Sequence, residues 1–306
     1  MNPVVELLLV LVGVSTLVYG ADRAVEGAGA LADFYGVSTF FVGVTVVAVG
    51  SSLPEIVTSM YAAVYDTGAL LVGHIVGSAT SQITLGLGVV GLVSTIAVPR
   101  EKIRAYGAGM VAAMAVMLGV VYTGGTITHV EGAVMVALYV LFLYALFEHE
   151  DYQDHLSERP EHTRRRALAL LAVGIGAVVV GGHLLVTYGQ SFALSVGIPE
   201  YLVGVVTGLG TTFPEIVVAV TAVRNDRGGI AVGTLLGSNI TDPLFSLGVG
   251  AALGEVHVAE SATVLPGIAY MLVVSAAITV AFASREEIDR TLAIPCLVLY
   301  LPTFLV

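Results

Sequence analysis

The sequence has little charge and lacks the residues that mark disulfide-bonded or nucleic-acid-binding proteins. Only 11% of its 306 residues are charged, whereas soluble domains carry about 25%. It has no tryptophan and a single cysteine, Cys296, which excludes an internal disulfide. Its 12 basic residues are scattered among acids, so a nucleic-acid-binding surface is not expected. The chain as a whole is hydrophobic: 57% of its residues are apolar, and its mean hydropathy is +0.94.

Apolar runs long enough to cross a ~30 Å hydrocarbon core recur along the chain. They predict an all-α polytopic membrane protein rather than a soluble one. The first run has no basic segment before it, so we expect a first membrane span there and not a cleaved signal peptide. Ten spans are predicted, at residues 3–21, 38–63, 68–97, 104–123, 129–148, 167–188, 199–223, 229–254, 262–283 and 289–305.

The basic residues indicate how these spans are oriented. Every lysine and arginine falls in an odd-numbered loop, and the even-numbered loops have none. Basic residues favour the cytoplasmic side of a membrane. We therefore expect the odd-numbered loops to be cytoplasmic and both termini to be outside, in a prokaryotic cell membrane. No obligate protein partner is evident, and the lipid bilayer is the expected surrounding.

The two halves of the sequence match each other at a constant spacing. Glu55 and Glu215 are 160 residues apart, and the same spacing separates Gly50 from Gly210, Pro54 from Pro214, Gly77 from Gly237 and Ser78 from Ser238. Each half has five predicted spans. An odd number of crossings means that the second half begins on the opposite side of the membrane, so it is inverted relative to the first. We predict an inverted repeat, with a first unit at residues 1–148, a charged cytoplasmic linker at 149–166 and a second unit at 167–306.

Spans 2 and 7 carry an unusual motif at their centres. It reads GSSLPE from Gly50 and GTTFPE from Gly210. Glycine and proline can interrupt a helix, and irregular backbone at membrane depth is tolerated only where protein or a water-lined cavity covers it. The hydroxyl and carboxyl groups beside the break make an all-oxygen environment that suits a hard cation.

Spans 3 and 8 are predicted to form the facing wall. Ser78 and Gln82 are four residues apart and share a helix face, as do Ser238 and Asp242. Small residues are expected to let these helices press closely on spans 2 and 7, at Gly73, Gly77, Gly233 and Gly237. The candidate side chains are Glu55, Glu215, Asp242, Ser51, Ser52, Ser78, Gln82, Thr211, Thr212 and Ser238. Three mid-membrane carboxylates without a mid-span lysine or arginine need bound cations or protons.

These paired motifs resemble the two α-repeats of the sodium/calcium exchanger family. GSSLPEIVTS pairs with GSATSQ in the first half, and GTTFPEIVVA pairs with GSNITD in the second. The resemblance covers the whole chain. It implies that Glu55 and Glu215 are shared ligands for Ca²⁺ and Na⁺. It also implies flanking Na⁺ ligands at Ser51, Ser78, Thr211 and Ser238 with the carbonyls of Ala48 and Gly208, and central ligands at Ser52, Thr212, Gln82 and Asp242.

The chain departs from the family pattern in the first repeat. Gln82 is one methylene longer than the asparagine that microbial members commonly have, and Ala79 stands where asparagine is usual. His74 occupies a place where the family often has a small amide. We interpret it as a satisfied polar residue, with a proton-sensing group as the alternative.

The resemblance implies Na⁺/Ca²⁺ antiport by alternating access, with spans 1 and 6 sliding against the rest. Ca²⁺ and Na⁺ are then transported ions, and no organic cofactor is expected. The alternative is a proton/Ca²⁺ antiporter on the same scaffold, because carboxylates can carry protons. A channel fits less well, since inverted halves with midplane acids suit an occluded site. An intramembrane hydrolase built on His74 and Ser78 leaves the duplicated glutamates unexplained, so we do not expect an enzyme.

Overall fold

The computed structural model describes residues 3–65, 68–148, 163–196, 200–258 and 261–304, and these are mostly helical. The predicted linker at 149–166 lies outside the described residues except for its last four. The helices are α1 (Pro3–Tyr35), α2 (Thr39–Ser51), α3 (Leu53–Tyr65), α4 (68–93), α5 (Arg100–Gly124), α6 (His129–Glu148), α7 (Arg164–Ser195), α8 (Glu200–Arg224), α9 (228–253), α10 (Ser261–Arg285) and α11 (Arg290–Val298), followed by a 3₁₀ turn at Leu301–Phe304.

Each of the ten predicted spans coincides with helical residues. By length and apolar composition, six of the described helices can cross a membrane, and a bent pair formed by α2 and α3 raises this number to seven. The class of helical membrane protein is therefore confirmed. The count of ten crossings stays a prediction.

Two short antiparallel ribbons join loops from the two halves of the chain. Strand β1 (Ile96–Ala97) pairs with β4 (Glu287–Ile288), and β2 (Thr126–Ile127) pairs with β3 (Val256–His257). The first ribbon links the α4–α5 connection to the α10–α11 connection. The second links the α5–α6 connection to the α9–α10 connection.

Helix irregularities occur near the middle of the motif-bearing segments. The axes of α2 and α3 are bent by 46° at Ser52, and Pro54 follows in the first turn of α3, where its missing amide hydrogen costs little. In the second half, α8 instead continues through Pro214. Widened π-helical turns occur within α2 at Gly43–Val47, within α4 at Gln82–Gly86 and within α9 at Thr241–Ser246. Such turns are frequent at functional sites.

Polar side chains lie inside the bundle and apolar ones on its surface, which is the reverse of their distribution in a soluble protein. Glu55, Glu215 and Asp242 are at most 1% exposed, whereas Val4 is 65% and Val64 is 76% exposed. The buried polar residues concentrate on α2, α3, α4, α8 and α9, which surround one interior region. Apolar surface outside and polar groups inside are expected of a helical bundle in lipid.

The expected role of the small residues is confirmed in the second half. A methyl group at Gly237 would lie 2.6 Å from the carbonyl oxygen of Val44, and Gly233 likewise packs against α2. Added methyl groups at Gly73 and Gly77 would meet no described atom within 4 Å. Gly73 is exposed and Gly77 is half-buried. For this half the expectation stays a prediction, because most side chains in the first part of α8 lie outside the described residues.

Helices α1 and α7 form the most extensive helix pair, packed antiparallel along their length. Glycines recur every seven residues in α1, at Gly13, Gly20 and Gly27, and in α7 at Gly174 and Gly181. A methyl group at Gly20 would lie 2.7 Å from the amide nitrogen of Val178, so the two backbones touch there. Without a hydrophobic force between helices in lipid, this close van der Waals packing is the main stabilising contact of the pair.

We predict that Gly174→Val destabilises the protein, whereas Gly176→Val in the same helix does not. An added methyl group at Gly174 would lie 2.7 Å from the Cα of Ala24, but at Gly176 it meets nothing within 4 Å. Overpacking of this kind costs about 1–3 kcal/mol. Thermal unfolding of the two purified variants measures the difference, and equal midpoints would contradict the packing described for α1 and α7.

Candidate cation-binding site

The two repeat glutamates lie deep inside the bundle without hydrogen-bond donors. Glu55 is in the first turn of α3, and Glu215 follows Pro214 in α8. Both side chains are 1% exposed. None of their four carboxyl oxygens accepts a hydrogen bond from a described residue. A buried carboxylate in this condition is very costly unless a cation or a proton neutralises it.

Hydroxyl groups from the first half face carboxyl groups of the second half. Ser51 lies beside Glu215, and Ser52 lies beside Asp242. The Ser51 hydroxyl donates to the carbonyl of Ala48 at 3.2 Å, while the buried Ser52 hydroxyl has no hydrogen-bond partner among the described residues. Because each oxygen retains a free lone pair, both hydroxyls can still contribute to a cation shell.

The wall opposite is a hydrogen-bonded network that joins the two halves. The Gln82 amide nitrogen donates to Ser78 Oγ at 3.2 Å and faces Asp242 Oδ2 at 3.4 Å. Thr212 Oγ1 also donates to Ser78 Oγ, at 3.4 Å. The Asn239 amide nitrogen donates to Gln82 Oε1 at 2.9 Å. The predicted shared face of Ser78 and Gln82 is therefore confirmed.

The carbonyl of Leu235 fixes the direction of these amides. Asn239 Nδ2 lies 2.8 Å from that oxygen, and a carbonyl can only accept, so the nitrogen of Asn239 must point there. The same nitrogen then donates to the oxygen of Gln82, which leaves the Gln82 nitrogen facing Asp242. In this conformation Gln82 offers Asp242 a donor, and the Gln82 oxygen is already engaged.

The remaining predicted residues are placed as follows. Ser238 is buried, and its hydroxyl has no partner among the described residues. Ala48 is fully buried, and its carbonyl also accepts from the Ser52 amide at 2.9 Å. Gly208 and the side chain of Thr211 lie outside the described part of the chain, although both positions belong to α8. His74 is half-buried in α4.

Three neighbours of the site did not emerge from the sequence motifs as site residues. Asn239 holds Gln82, Ser246 lies 3.5 Å from Asp242 Oδ1, and Tyr139 meets Thr241 at 3.1 Å. The GSN sequence of the second repeat was a signal for Asn239. Tyr139 comes from α6 and carries no local pattern that could have indicated its position.

The donor set is mixed rather than a cluster of like ligands. Across the described ranges, no three Asp, Glu, His or Cys side chains gather where they could hold one metal ion. Glu55 nevertheless lies within electrostatic range of both Glu215 and Asp242. Carboxyl, hydroxyl and amide oxygens without thiols suit hard cations such as Na⁺ and Ca²⁺ and do not suit soft metals.

Fold and site together define an integral membrane protein with a buried cluster of carboxyl, hydroxyl and amide groups. The family model described as "Sodium/calcium exchanger protein" matches residues 5–148 and 166–305. The chain therefore belongs to the sodium/calcium exchanger family, and it is a membrane antiporter of the cation/Ca²⁺ type. The resemblance noted in the sequence motifs is confirmed.

Named relatives and a solved structure agree with this membership. The sodium/calcium exchanger MaX1 of Methanosarcina acetivorans is 28% identical over 298 residues, which cover 84% of this chain and 85% of MaX1. The inner membrane protein YrbG of Escherichia coli is 30% identical over 263 residues, with 81% and 80% covered. The sodium-calcium exchanger NCX_Mj, soaked with Na⁺ and Sr²⁺, superimposes with a TM-score of 0.84 at 28% identity, covering 99% of this chain and 98% of NCX_Mj.

We predict that exchanging the two amides preserves the link between the halves. Gln82→Asn shortens this side chain by about 1.5 Å and should weaken its hydrogen bond with Asn239, at a cost of about 1 kcal/mol of stability. Asn239→Gln alone should cost about the same. The double variant Gln82→Asn/Asn239→Gln keeps the combined length and should regain most of this loss. A double-mutant cycle by thermal unfolding without Ca²⁺ tests the coupling, and additive losses would contradict the link.

Proposed function

We propose that the protein exchanges Na⁺ for Ca²⁺ by alternating access, with the ions bound between its two halves. The observation that carries this proposal is the set of four buried carboxyl oxygens of Glu55 and Glu215, to which no described residue donates a hydrogen bond. Two carboxylates balance one Ca²⁺ or two Na⁺, so the two ions compete for the same oxygens. A site left empty would expose uncompensated charge during crossing, which disfavours unloaded turnover.

We assign the ligands by combining geometry with family membership. Glu55 and Glu215 are the shared ligands for both ions. The flanking Na⁺ positions draw on Ser51, Ser78, Thr211 and Ser238 with the carbonyls of Ala48 and Gly208. The central position draws on Ser52, Thr212, Gln82 and Asp242. The burial of the described members and their placement around one interior region support this assignment.

The inverted ten-span repeat is supported by the two ribbons. Strands β1 and β3 begin 160 residues apart, at Ile96 and Val256, and β2 and β4 are 161 apart. The β1–β4 ribbon is therefore the repeat counterpart of the β3–β2 ribbon. A two-fold axis that exchanges the halves would also exchange the ribbons, which suits units at residues 1–148 and 167–306.

Alternation between two states is supported by the unequal glycine contacts. Gly237 packs on α2, whereas an added methyl group at its repeat counterpart Gly77 would meet no described atom within 4 Å. In the opposite state, the repeat counterpart of α2, which is the first part of α8, would close on Gly77. The pair α1 and α7, tied together by glycines, is the moving unit. The odd loops are cytoplasmic with the linker at 149–166, and the termini are outside.

We predict that Glu55→Gln or Glu215→Gln lowers Na⁺-driven Ca²⁺ flux by about a hundredfold or more. Removing one charged partner from a buried ionic site costs about 3–5 kcal/mol. Uptake of ⁴⁵Ca²⁺ into proteoliposomes with an outward Na⁺ gradient measures this flux. Glu101→Gln is the control, because Glu101 is exposed at the start of α5. Flux like that of the unmodified protein in either site variant would refute the ligand assignment.

The same vesicles decide the coupling ion. We expect an outward Na⁺ gradient at equal pH to drive ⁴⁵Ca²⁺ uptake. An outward H⁺ gradient without Na⁺ should drive little uptake. The alternative proton/Ca²⁺ antiporter would take up ⁴⁵Ca²⁺ with the H⁺ gradient and little with the Na⁺ gradient. Protons could serve in this way because they also neutralise the carboxylates of Glu55 and Glu215. Uptake driven only by protons would therefore replace Na⁺ exchange with this alternative.

A further inference from the structure

A cavity lies away from the candidate ion site, between α5 and α10. It is a groove of about 620 Å³, and small or apolar side chains such as Ala108 and Ala276 line most of its length. Both helices are apolar enough to cross a membrane, and Ala108 and Val280 are exposed on the outside of the bundle. The groove therefore opens towards lipid rather than towards the interior.

One end of the groove is positively charged. Arg100 and Arg104 line it there, at the beginning of α5. Arg100 is paired with Glu286 at 2.8 Å, whereas Arg104 is exposed and makes no hydrogen bond or ion pair with any described residue. The N-terminus of a helix carries a partial positive charge. An anionic group beside these arginines would therefore be stabilised by the guanidinium groups and by the helix dipole.

A polar group lies slightly deeper in the same groove. The Thr279 hydroxyl is shielded from solvent and has no partner among the described residues. It lies against α5, because a methyl group at Gly107 would be 3.0 Å from Thr279 Oγ1. Gly107 is three residues beyond Arg104, which is about 4.5 Å along the helix. The groove thus places two guanidinium groups at its mouth, one hydroxyl below them and apolar surface beyond.

We propose that this groove binds one anionic phospholipid. The phosphate contacts Arg104 and Arg100, an ester carbonyl accepts a hydrogen bond from the Thr279 hydroxyl, and an acyl chain lies along Ala108 and Ala276. The order of charge, hydroxyl and apolar surface follows the order of groups along a glycerophospholipid. Basic pockets between membrane helices bind acidic headgroups in this way. A zwitterionic headgroup would bind less tightly, because Arg104 would repel the cation that this headgroup carries.

Native mass spectrometry of the delipidated full chain tests the headgroup. Phosphatidylglycerol and phosphatidylcholine are added at equal concentration, without Na⁺ or Ca²⁺, so the result is independent of ion exchange. We expect one phosphatidylglycerol to be retained in preference. Arg104→Gln should lower its binding about fivefold. Arg290→Gln is the control, because Arg290 is exposed after β4 and does not line the groove, and it should leave binding unchanged.

A second pair of variants tests the body of the groove with both arginines intact. Ala108→Leu should fill the groove and cause a several-fold loss of bound phosphatidylglycerol. Ala112→Leu, one turn further along α5, is exposed but outside the groove and should have no effect. This pair decides the proposal if Arg104→Gln does not fold. Three results would overturn it: equal binding of the two lipids, equal loss with Arg290→Gln, or no difference between Ala108→Leu and Ala112→Leu.

Discussion

Two buried carboxyl groups without donors are the constraint on which the interior depends. The oxygens of Glu55 and Glu215 are shielded from water and receive no hydrogen bond from described residues. In lipid, such groups persist only where something mobile can neutralise them. The helix break at Ser52 and the polar residues of α4 and α9 surround these carboxyl groups. The apolar exterior keeps the whole arrangement in the membrane.

Close backbone packing holds the bundle together. Glycines join α1 and α7 along their length, and Gly237 holds α9 against α2. At the repeat counterpart, Gly77, an added methyl group would meet no described atom within 4 Å. Because interfaces packed this tightly are bistable rather than continuously deformable, one contact closing while its counterpart opens is a natural form of switching.

Much of this architecture could be predicted from sequence, and the failures have physical causes. The motifs around Glu55 and Glu215 predicted the interior site, because proline, glycine and carboxylate are each costly in a membrane helix. The different described contacts of Gly77 and Gly237 could not be predicted, since the two glycines have equivalent sequence surroundings. The contact of Tyr139 with Thr241 depends on how α6 packs, which local sequence does not encode.

The two departures from the family pattern are explained by one contact. Asn239 is the repeat counterpart of Ala79, and only the second half keeps an amide at this position. The extra methylene of Gln82 carries its oxygen to within 2.9 Å of the Asn239 nitrogen. With Leu235 holding the other side of Asn239, the Gln82 nitrogen is directed to Asp242. A longer amide in one half thus compensates for a missing amide at Ala79, and the pair fixes the donor that Asp242 meets at the centre of the site.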